Sequence, residues 1–285
     1  MTPPHPLDRY LRTLWARLPI PRRGRLHHIL RAMYDYGLAR AYPAGVEWTI
    51  NGTDRMRLDP RFRAIPADHE PQIWGPLMAA VRAGDTAADA GANIGLYTVA
   101  LAARVGPSGR VVAFEPDPRT VQILRRHIVL NHLSQRIEVI PSALGDRAGP
   151  VPFQAGQGPR SCVMPEGARG ARRIPCVTLD EVFAGRRVDL LKVDVEGYEQ
   201  HVLQGGLRLL QDPARAPRVI TLELHPEAWP AIGSSGDALL GLLAQCGYRV
   251  FGPEGQPVHG AEGLWAPDRP DGLWHVVARR LDPRP

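Results

Sequence analysis

Apolar residues follow helical spacing at the start of the chain and a mixture of strand and helix patterns further on. In the first 45 residues, two stretches have apolar positions three and four apart, and Pro19 and Pro21 separate them. We predict two short amphipathic helices there. Their apolar positions are Leu7, Tyr10, Leu11, Leu14 and Leu18 in the first, and Leu26, Ile29, Leu30 and Met33 in the second. The step Asn51-Gly52 between two β-prone runs then predicts a hairpin over residues 46–60.

From about residue 70 onward, strand patterns alternate with helical ones. The predicted strands cover residues 86–89, 111–115, 137–142, 188–194, 219–224, 248–251 and 273–278. The predicted helices cover residues 71–82, 96–104, 119–132, 199–210 and 236–247. This alternation predicts an α/β fold whose doubly wound, seven-stranded sheet is mostly parallel. No helix separates the last two strands, so we expect them to form an antiparallel pair at the edge of the sheet.

Two further segments complete the predicted domain organisation. Residues 1–45 are predicted to be an N-terminal helical extension that caps the main domain; a substrate lid, a dimer arm or a membrane-surface helix are the alternatives. Residues 46–285 are predicted to form one α/β domain. Within it, residues 143–180 contain several Gly, Pro and Arg residues, and we interpret them as a short hairpin with mobile loops.

Charge and composition argue against several kinds of partner. The net charge is +6, but the arginines are scattered rather than clustered with aromatic residues, so we expect no nucleic-acid partner. No apolar run approaches the roughly 18 residues that span a bilayer, and we expect a cytoplasmic protein without a transmembrane segment. Cys162, Cys176 and Cys246 form no C-x-x-C pair, which argues against a disulfide framework and a thiolate metal site. Assembly into a homo-oligomer stays open.

The first predicted strand of the α/β pattern runs through Asp89 into the turn Gly91-Ala-Asn93-Ile-Gly95 and then into a helix. Ligands of open α/β sheets bind outside the carboxyl ends of the strands, where a helix N-terminus offers free N–H groups to an anion. The glycines permit close backbone approach, and Asn93 tolerates a left-handed conformation. The pattern is not G-x-G-x-x-G, and Asp89 would hold an ammonium group but repel a pyrophosphate. We therefore favour S-adenosylmethionine, which has an ammonium and a carboxylate, over NAD.

Two more strand ends contribute candidate cofactor contacts. The second strand ends at Glu115, followed by Pro116, and a carboxylate at this position can accept hydrogen bonds from both ribose hydroxyls. The alternative is that Glu115 caps the helix that starts near Pro118. The third strand leads into Ser142 and Ala143, small residues against which an adenine ring can lie.

Charged residues alternate at the end of the fourth predicted strand, at Lys192, Asp194 and Glu196. Period two puts them on one side of an extended strand, and three charges there would be costly to bury without partners, so we predict a functional cluster. Lys192 is the single lysine among 35 Lys and Arg residues, which is consistent with a site that needs a compact ammonium group. The fifth strand brings Glu223 and His225 to the adjacent strand end, where His225 is a candidate base.

In series, these motifs resemble the FkbM family of S-adenosylmethionine-dependent methyltransferases. The resemblance covers about residues 70–225 and rests on DAGANIG, VVAFEPDP, SALGD, VTLDEV, LLKVDVEGYE, VLQGG and ITLELHPE. It implies the class I methyltransferase fold for residues 46–285. The residues that it implies at the cofactor are Gly91, Asn93, Gly95 and Glu115, with Asp194 and Glu196 near the reacting methyl group. It also implies that Glu70 approaches the methionine end of the cofactor, and that the acceptor is a small molecule, mostly a hydroxyl group of a sugar or natural product.

The expected reaction is O-methylation by in-line displacement, with S-adenosylhomocysteine as the product. Asp194 or His225 would receive the hydroxyl proton, and Lys192 would orient a carboxylate or stabilise the developing oxyanion. We assign no metal ligands, although a variant hypothesis has Asp194, Glu196 and Glu223 hold Mg²⁺. The alternative functions are a non-catalytic scaffold that binds the cofactor and an NAD-dependent oxidoreductase.

Overall fold

A computed structural model describes residues 25–62, 65–155, 161–261 and 274–281. Contacts within the chain divide it into two compact units, Met1–His69 and Glu70–Pro285. The first of the two predicted N-terminal helices lies outside the described residues. Among the residues that are described, none of the helices is long and apolar enough to cross a membrane.

The first unit contains a helix and a hairpin. The helix α1 spans Arg25–Ala41, and the strands β1 and β2 span Val46–Ile50 and Asp54–Leu58, followed by a 3₁₀ turn at Pro60–Phe62. The two strands pair antiparallel from Ile50 opposite Asp54. Asn51 and Gly52 both have positive φ, of 49° and 72°, and the N–H of Thr53 donates to the carbonyl of Ile50 at 3.1 Å, so they are the central residues of a type I′ turn. The hairpin predicted from the Asn-Gly step is therefore confirmed.

The second unit is built on one large sheet. Its strands are β3 (Thr86–Ala90), β4 (Arg110–Phe114), β5 (Ile137–Ile140), β10 (Leu190–Val193), β11 (Val219–Leu224), β12 (Tyr248–Phe251), β13 (Pro257–Val258) and β14 (Trp274–Arg280). They are hydrogen-bonded in the order β13-β12-β14-β11-β10-β3-β4-β5. From β3 the chain moves outward through β4 to β5, and it then returns to β10 on the other side of β3. Since parallel crossovers are right-handed, this reversal makes the sheet doubly wound, and the predicted class I methyltransferase fold is confirmed.

The last strands of the sheet differ in one respect from the prediction. β12 and β14 pair antiparallel as expected, with Tyr248 opposite Arg280. However, β14 also pairs antiparallel with β11, so it lies between β11 and β12 rather than at the edge. The two-residue strand β13 pairs with β12 and adds an eighth strand. The chain therefore forms the outer strand β12 first and then returns to place β14 between β12 and β11.

The helices of the second unit occupy most of the predicted positions. They are α2 (Pro71–Ala80), α3 (Leu96–Arg104), α4 (Pro118–Leu130), α5 (Leu179–Val182), α6 (Glu199–Gln204), α7 (Leu207–Gln211), α8 (Trp229–Ile232) and α9 (Gly236–Gln245). The predicted helix over 199–210 is split into α6 and α7 at Gly205 and Gly206. A Cβ atom on Gly205 would overlap the carbonyl oxygen of Gly145, so this close approach explains the glycine at the break.

Residues 143–180 form more structure than the predicted hairpin. A second sheet of four strands has the order β6-β9-β7-β8. Its strands are β6 (Ala143–Leu144), β7 (Gly149–Gln154), β8 (Cys162–Val163) and β9 (Arg172–Val177). β7 and β9 make the expected antiparallel pair, while β6 pairs with β9 in parallel. The prediction of a single hairpin missed β6 and β8, because pairing between short segments distant in sequence leaves no local pattern.

A buried ion network ties the amino ends of the central strands together. Arg218, just before β11, donates to Asp85 Oδ2 at 2.9 Å and to Asp189 Oδ1 at 2.9 Å. Asp189 Oδ2 also accepts from the backbone N–H of Thr86, at 2.9 Å. All three charged side chains are buried. This edge of the sheet is therefore held by paired charges, opposite to the edge where the candidate site lies.

Candidate functional site

The strand order reverses between β3 and β10, and the residues that follow these strands are neighbours. Ala90 and Val193 are register partners at the two strand ends. The N–H of Asp194 then donates to the carbonyl of Ala90 at 3.0 Å. In open α/β sheets, ligands bind in the crevice at such a switch point. The candidate site therefore starts at Gly91 on one strand end and Asp194 on the other.

The turn after β3 has the backbone that its glycines and asparagine predict. Gly91, Asn93 and Gly95 all have positive φ, of 77°, 49° and 92°. A Cβ atom on Gly91 would overlap the carbonyl oxygen of Asp194, and one on Gly95 would overlap the side chain of Leu124. Both glycines are thus required by conformation and by close packing. The turn brings its own backbone directly against the end of β10.

Lys192 joins that turn to the adjacent strand. Its Nζ donates to Asp194 Oδ2 at 3.0 Å and to the Gly91 carbonyl at 3.3 Å, and lies 3.5 Å from Asp89 Oδ1. Asp89 is fully buried and its Oδ2 accepts from Thr98 Oγ1 at 2.6 Å. The ammonium group that Asp89 contacts is therefore that of Lys192. Among the functions expected for Lys192, this arrangement favours orienting Asp194.

The charge of Lys192 follows from its neighbours. Burial by itself lowers the pKa of Lys192, but the carboxylates of Asp194 and Asp89 raise it above its ordinary value overall. The side chain is only 3% exposed, and its compact ammonium group makes two hydrogen bonds and one ion pair at the same time. A guanidinium is larger and planar and cannot reproduce them. This explains a lysine here in a chain that otherwise uses arginine.

Glu70 lies immediately before α2 and contacts the same region. Its backbone is left-handed, with φ of 41°, and its Oε2 accepts from the Tyr97 hydroxyl at 2.9 Å. The Tyr97 ring also lies against Trp74, with centroids 4.6 Å apart, and beneath Lys192 Nζ at 4.9 Å. Burial and Glu70 raise the pKa of Tyr97, so its hydroxyl stays a donor. Sequence reasoning missed Tyr97, because an aromatic residue in a buried helix has the pattern of a core position.

Glu115 is placed at the end of β4 with both oxygens engaged by backbone. Oε2 accepts from the N–H of Asn93 at 2.9 Å, and Oε1 from the N–H of Asp117 at 2.8 Å. The cap of the following helix is Asp117, which accepts from the N–H of Arg119, so Glu115 is not the capping residue. Burial raises the pKa of Glu115 to about 7, against the effect of these hydrogen bonds. Pro116 lies between the two acids and carries no polar side chain.

Ser142 and Ala143 follow β5 beside the end of β4. The N–H groups of Ser142 and Glu115 both donate to the carbonyl of Ile140, at 2.9 and 3.3 Å. Ser142 and Ala143 are largely buried. Ala143 then opens β6 and pairs with Cys176 of the second sheet. The structure thus brings the two predicted adenine contacts next to Glu115.

Three titratable side chains gather at the ends of β10 and β11. Oxygen or nitrogen atoms of Asp194, Glu196 and His225 lie within 4.8 Å of one another. The route by which Glu196 arrives differs from the prediction. β10 ends at Val193, and Glu196 has a left-handed backbone with φ of 54°, so a turn rather than strand alternation places it. Lys192 and Asp194 do keep the alternation.

His225 is held by a buried carboxylate that sequence reasoning missed. Its Nδ1 lies 2.8 Å from Glu199 Oε1, and Glu199 is fully buried. The same carboxylate accepts from the N–H of Gly197 at 2.7 Å and from Trp229 Nε1 at 3.0 Å. An acidic residue in the first turn of a helix is expected for electrostatic reasons alone, so the motif gave no sign of this contact. Glu199 thereby fixes the imidazole with Nε2 directed away.

Glu223 lies at the margin of this group. Its Oε1 is 3.8 Å from His225 Nε2, and its Oε2 is 3.5 Å from His275 Nε2. Burial by itself raises the pKa of Glu223, but His275 and His225 lower it overall. The three groups that cluster therefore include His225 in place of Glu223, which the Mg²⁺ variant hypothesis had named.

Burial, with contributions from neighbouring charges, shifts the pKa values in the cluster. Burial raises the pKa of Asp194 to about 6, although Lys192 opposes this, and burial raises that of Glu196 to about 7. Burial by itself lowers the pKa of His225, but Glu199 and the nearby carboxylates raise it to about 9. Displaced acidities at the carboxyl edge of the sheet are typical of reaction centres.

Comparison with curated proteins finds two partial relatives. The methyltransferase sdnD of Sordaria araneosa is 30% identical over an alignment of 152 residues, with coverage of 41% of this chain and 58% of that protein. The AMB antimetabolite synthetase AmbE of Pseudomonas aeruginosa is 29% identical over an alignment of 207 residues, with coverage of 57% of this chain and 9% of that protein. The chain thus spans less than two thirds of the length of either relative.

Similar solved structures include two methyltransferases. A SAM-dependent O-methyltransferase from Thermotoga maritima is 15% identical and covers 85% of this chain and 79% of its own, with a TM-score of 0.42. A SAM-dependent methyltransferase from Aquifex aeolicus is also 15% identical and covers 74% of this chain and 88% of its own, with a TM-score of 0.38. Both TM-scores are low, so the assignment of the fold rests on the strand order.

The family comparison matches residues 89–250 to the methyltransferase FkbM domain. The match is more than half of the chain. It begins at Asp89 and includes the turn, Glu115, the Lys192–Glu196 segment and His225. The chain therefore belongs to the family of the methyltransferase FkbM domain.

Proposed function

We propose that this chain transfers a methyl group from S-adenosylmethionine to a hydroxyl oxygen of a small molecule of the sugar or natural-product type. The observation that carries the proposal is the grouping of Asp194, Glu196 and His225 beside the turn over residues 91–95. Titratable groups gathered where an α/β sheet binds ligands are typical of a reaction centre. Family membership and the similarity to the S. araneosa methyltransferase support methyl transfer.

The donor set around the turn fits this cofactor. Each oxygen of Glu115 accepts one backbone N–H and keeps a second lone pair, so the carboxylate can also accept two ribose hydroxyls. The N-terminus of α3 can bind a carboxylate through its first N–H groups. Ser142 and Ala143 have small side chains against which a flat ring could lie. When bound, the cofactor supplies a methyl group activated by its sulfonium sulfur.

The acceptor hydroxyl loses its proton as its oxygen bonds to the methyl carbon. Asp194 and Glu196, with pKa values of about 6 and 7, are suited to take that proton near neutral pH. His225, with a pKa of about 9, is mostly protonated there and supports the charge of these carboxylates instead. Of the two proton acceptors expected from the sequence, the proposal thus favours Asp194 over His225.

The test has a binding part and a transfer part. Calorimetric titrations with S-adenosylmethionine, S-adenosylhomocysteine and NAD are run in parallel, followed by transfer of a labelled methyl group to a panel of hydroxylated acceptors. We expect binding of the first two ligands only. Asp194→Asn should reduce turnover about 100-fold or more at saturating cofactor, a typical loss for a removed acid–base group.

A matched control is the exposed carboxylate of Glu227, two residues after His225. Glu227→Gln removes the same charge and should leave turnover unchanged. Binding of NAD, or of none of the three ligands, would contradict the proposal and return the oxidoreductase and scaffold alternatives. Equal turnover of Asp194→Asn and the wild type would remove Asp194 from the reaction while leaving cofactor binding intact.

A further inference from the structure

We infer from the geometry that Asp194, Glu196 and His225 form a binding site for one divalent transition-metal cation of the Mn²⁺, Fe²⁺ or Zn²⁺ class. Binding of the ion does not depend on the proposed function. Its use in catalysis rests on that function, because a cation here would bind and acidify the acceptor hydroxyl.

The three ligand atoms are close enough to share an ion. They lie within 4.8 Å of one another, so a point among them is about 2.8 Å or less from each, and metal–ligand distances are about 2.0–2.3 Å. The side chains of Asp194 and Glu196 are 23% and 26% exposed. Small rotations of these two solvent-facing carboxylates close the remaining gap, and an ion can enter from solvent.

The buried imidazole is the observation that separates this site from an ordinary group of acids. Glu199 accepts at Nδ1, so in the neutral ring Nδ1 carries the hydrogen and Nε2 presents its lone pair. Nε2 lies 3.5 Å from Glu196 Oε2 and 3.8 Å from Glu223 Oε1, and makes no hydrogen bond to the described residues. His225 itself is only 3% exposed. An ion bound between Nε2 and these carboxylate oxygens would take the place of the proton that Nε2 carries in the imidazolium form.

Glu199 supplies the support that metal-binding histidines use. A carboxylate on the other ring nitrogen fixes the tautomer and the orientation of the ring and strengthens the ligand. Here that carboxylate is itself held in place by the N–H of Gly197 and by Trp229 Nε1. The imidazole is thereby oriented before any ion arrives.

The mixture of ligands selects the class of ion. One imidazole nitrogen with two carboxylate oxygens suits Mn²⁺, Fe²⁺ or Zn²⁺, whereas Mg²⁺ prefers oxygen ligands and water. Glu223 lies near His275 and outside the group of three. The inferred site therefore differs in composition and in metal from the oxygen-only Mg²⁺ variant.

The test uses the full chain after treatment with a chelator and dialysis. Mn²⁺ is titrated into it, and electron paramagnetic resonance measures the free ion. Bound Mn²⁺ loses the sharp signal of the free ion, and we expect one ion per chain. Glu196→Gln and Asp194→Asn should each weaken binding about tenfold or more, and Glu199→Gln should do so through His225. Glu227→Gln, at the same strand end, should bind Mn²⁺ as the wild type does.

A second measurement needs no variant. In the wild-type protein, Mn²⁺ should broaden the imidazole signals of His225 in NMR spectra while those of His132 remain sharp. An unchanged free-ion signal with the wild type, or equal affinity for Mn²⁺ in Glu196→Gln, overturns the inference. Titration of the same samples with S-adenosylmethionine keeps the two proposals apart, because cofactor binding without Mn²⁺ binding rejects the metal site alone, and the reverse result rejects the proposed function alone.

Discussion

Gly91 lies so close to Asp194 that a Cβ atom on the glycine would overlap the carbonyl oxygen of the aspartate. This contact joins the turn after β3 to the end of β10. Any side chain at Gly91 must push the two strand ends apart. The arrangement of the two strand ends therefore depends on a glycine at position 91.

The substitution Gly91→Ala tests this contact. An alanine with this left-handed backbone costs about 1–2 kcal/mol of folding free energy. In addition, its Cβ atom would collide with the backbone of Asp194, which cannot rotate away as a side chain can. We expect a lower free energy of unfolding in urea and at least a tenfold loss of S-adenosylmethionine affinity. Gly106→Ala is the control, because Gly106 also has a φ of 72° but has nothing within 4 Å of the added atom. If both variants lose equal stability and affinity, the contact with Asp194 has no special effect.

Lys192 should be irreplaceable by arginine as well as by neutral residues. Lys192→Met leaves Asp89 buried without its cation, which typically costs about 3–5 kcal/mol of folding free energy. Lys192→Arg keeps the charge but has to fit a larger planar group into a site that is 3% exposed. We expect both to be destabilised in urea unfolding, with Arg249→Met, on the surface, as control. A wild-type stability for Lys192→Arg would show that the site accepts any cation.

Glu115 should make cofactor binding dependent on pH. Its pKa of about 7 means that the carboxylate ionises through neutrality, and only the ionised form accepts from both ribose hydroxyls. Affinity for S-adenosylmethionine should therefore fall about tenfold between pH 8 and pH 6, by one-proton linkage. Glu115→Gln should bind weakly at both pH values. A flat affinity profile for the wild type would remove Glu115 from ribose binding.

Glu115 should also make the stability of the unliganded fold depend on pH, but here stability falls as pH rises. Its pKa in the folded chain is raised above the ordinary value of 4.5, so folding favours the protonated form. The stabilisation is complete below that ordinary pKa and is lost as pH rises through about 7. Compared with Glu115→Gln, the unliganded wild type should lose stability from pH 5 to pH 8, as measured by urea unfolding.

Substitution of Arg218 should lower the folding free energy without impairing cofactor binding. Arg218→Met leaves Asp85 and Asp189 buried with uncompensated charge, and we expect a loss of about 3 kcal/mol of folding free energy. Arg187→Met removes a side chain that is 53% exposed and also pairs with Asp189, so its effect should be small. Folded Arg218→Met should bind cofactor normally, because the network lies at the amino edge of the sheet. Weakened cofactor binding in the folded variant would contradict that separation.

Local pattern was sufficient for most elements and for the strand ends that carry the site. The strands β11 and β12 occupy the predicted residues, and α3 does too, because apolar periodicity and the Gly-rich boundaries are both local signals. The failures have a different cause. β14 between β11 and β12, the four-stranded sheet around β7 and β9, and the break at Gly205 all depend on pairing or packing between distant segments.

The order of apolar and polar residues is enough to predict which chemical groups reach the carboxyl edge of the sheet: Asp89, the turn over residues 91–95, Glu115 and the segment from Lys192 to Glu196. Each follows a strand whose apolar run makes its end easy to locate. Which of these groups are in contact depends instead on how the strands and helices pack. Lys192 contacts Asp89 rather than solvent, and the turn at Glu196 meets His225, which Glu199 orients from a different element. Contacts of this kind join side chains that are distant in sequence, and no periodicity along the chain encodes the distance between them.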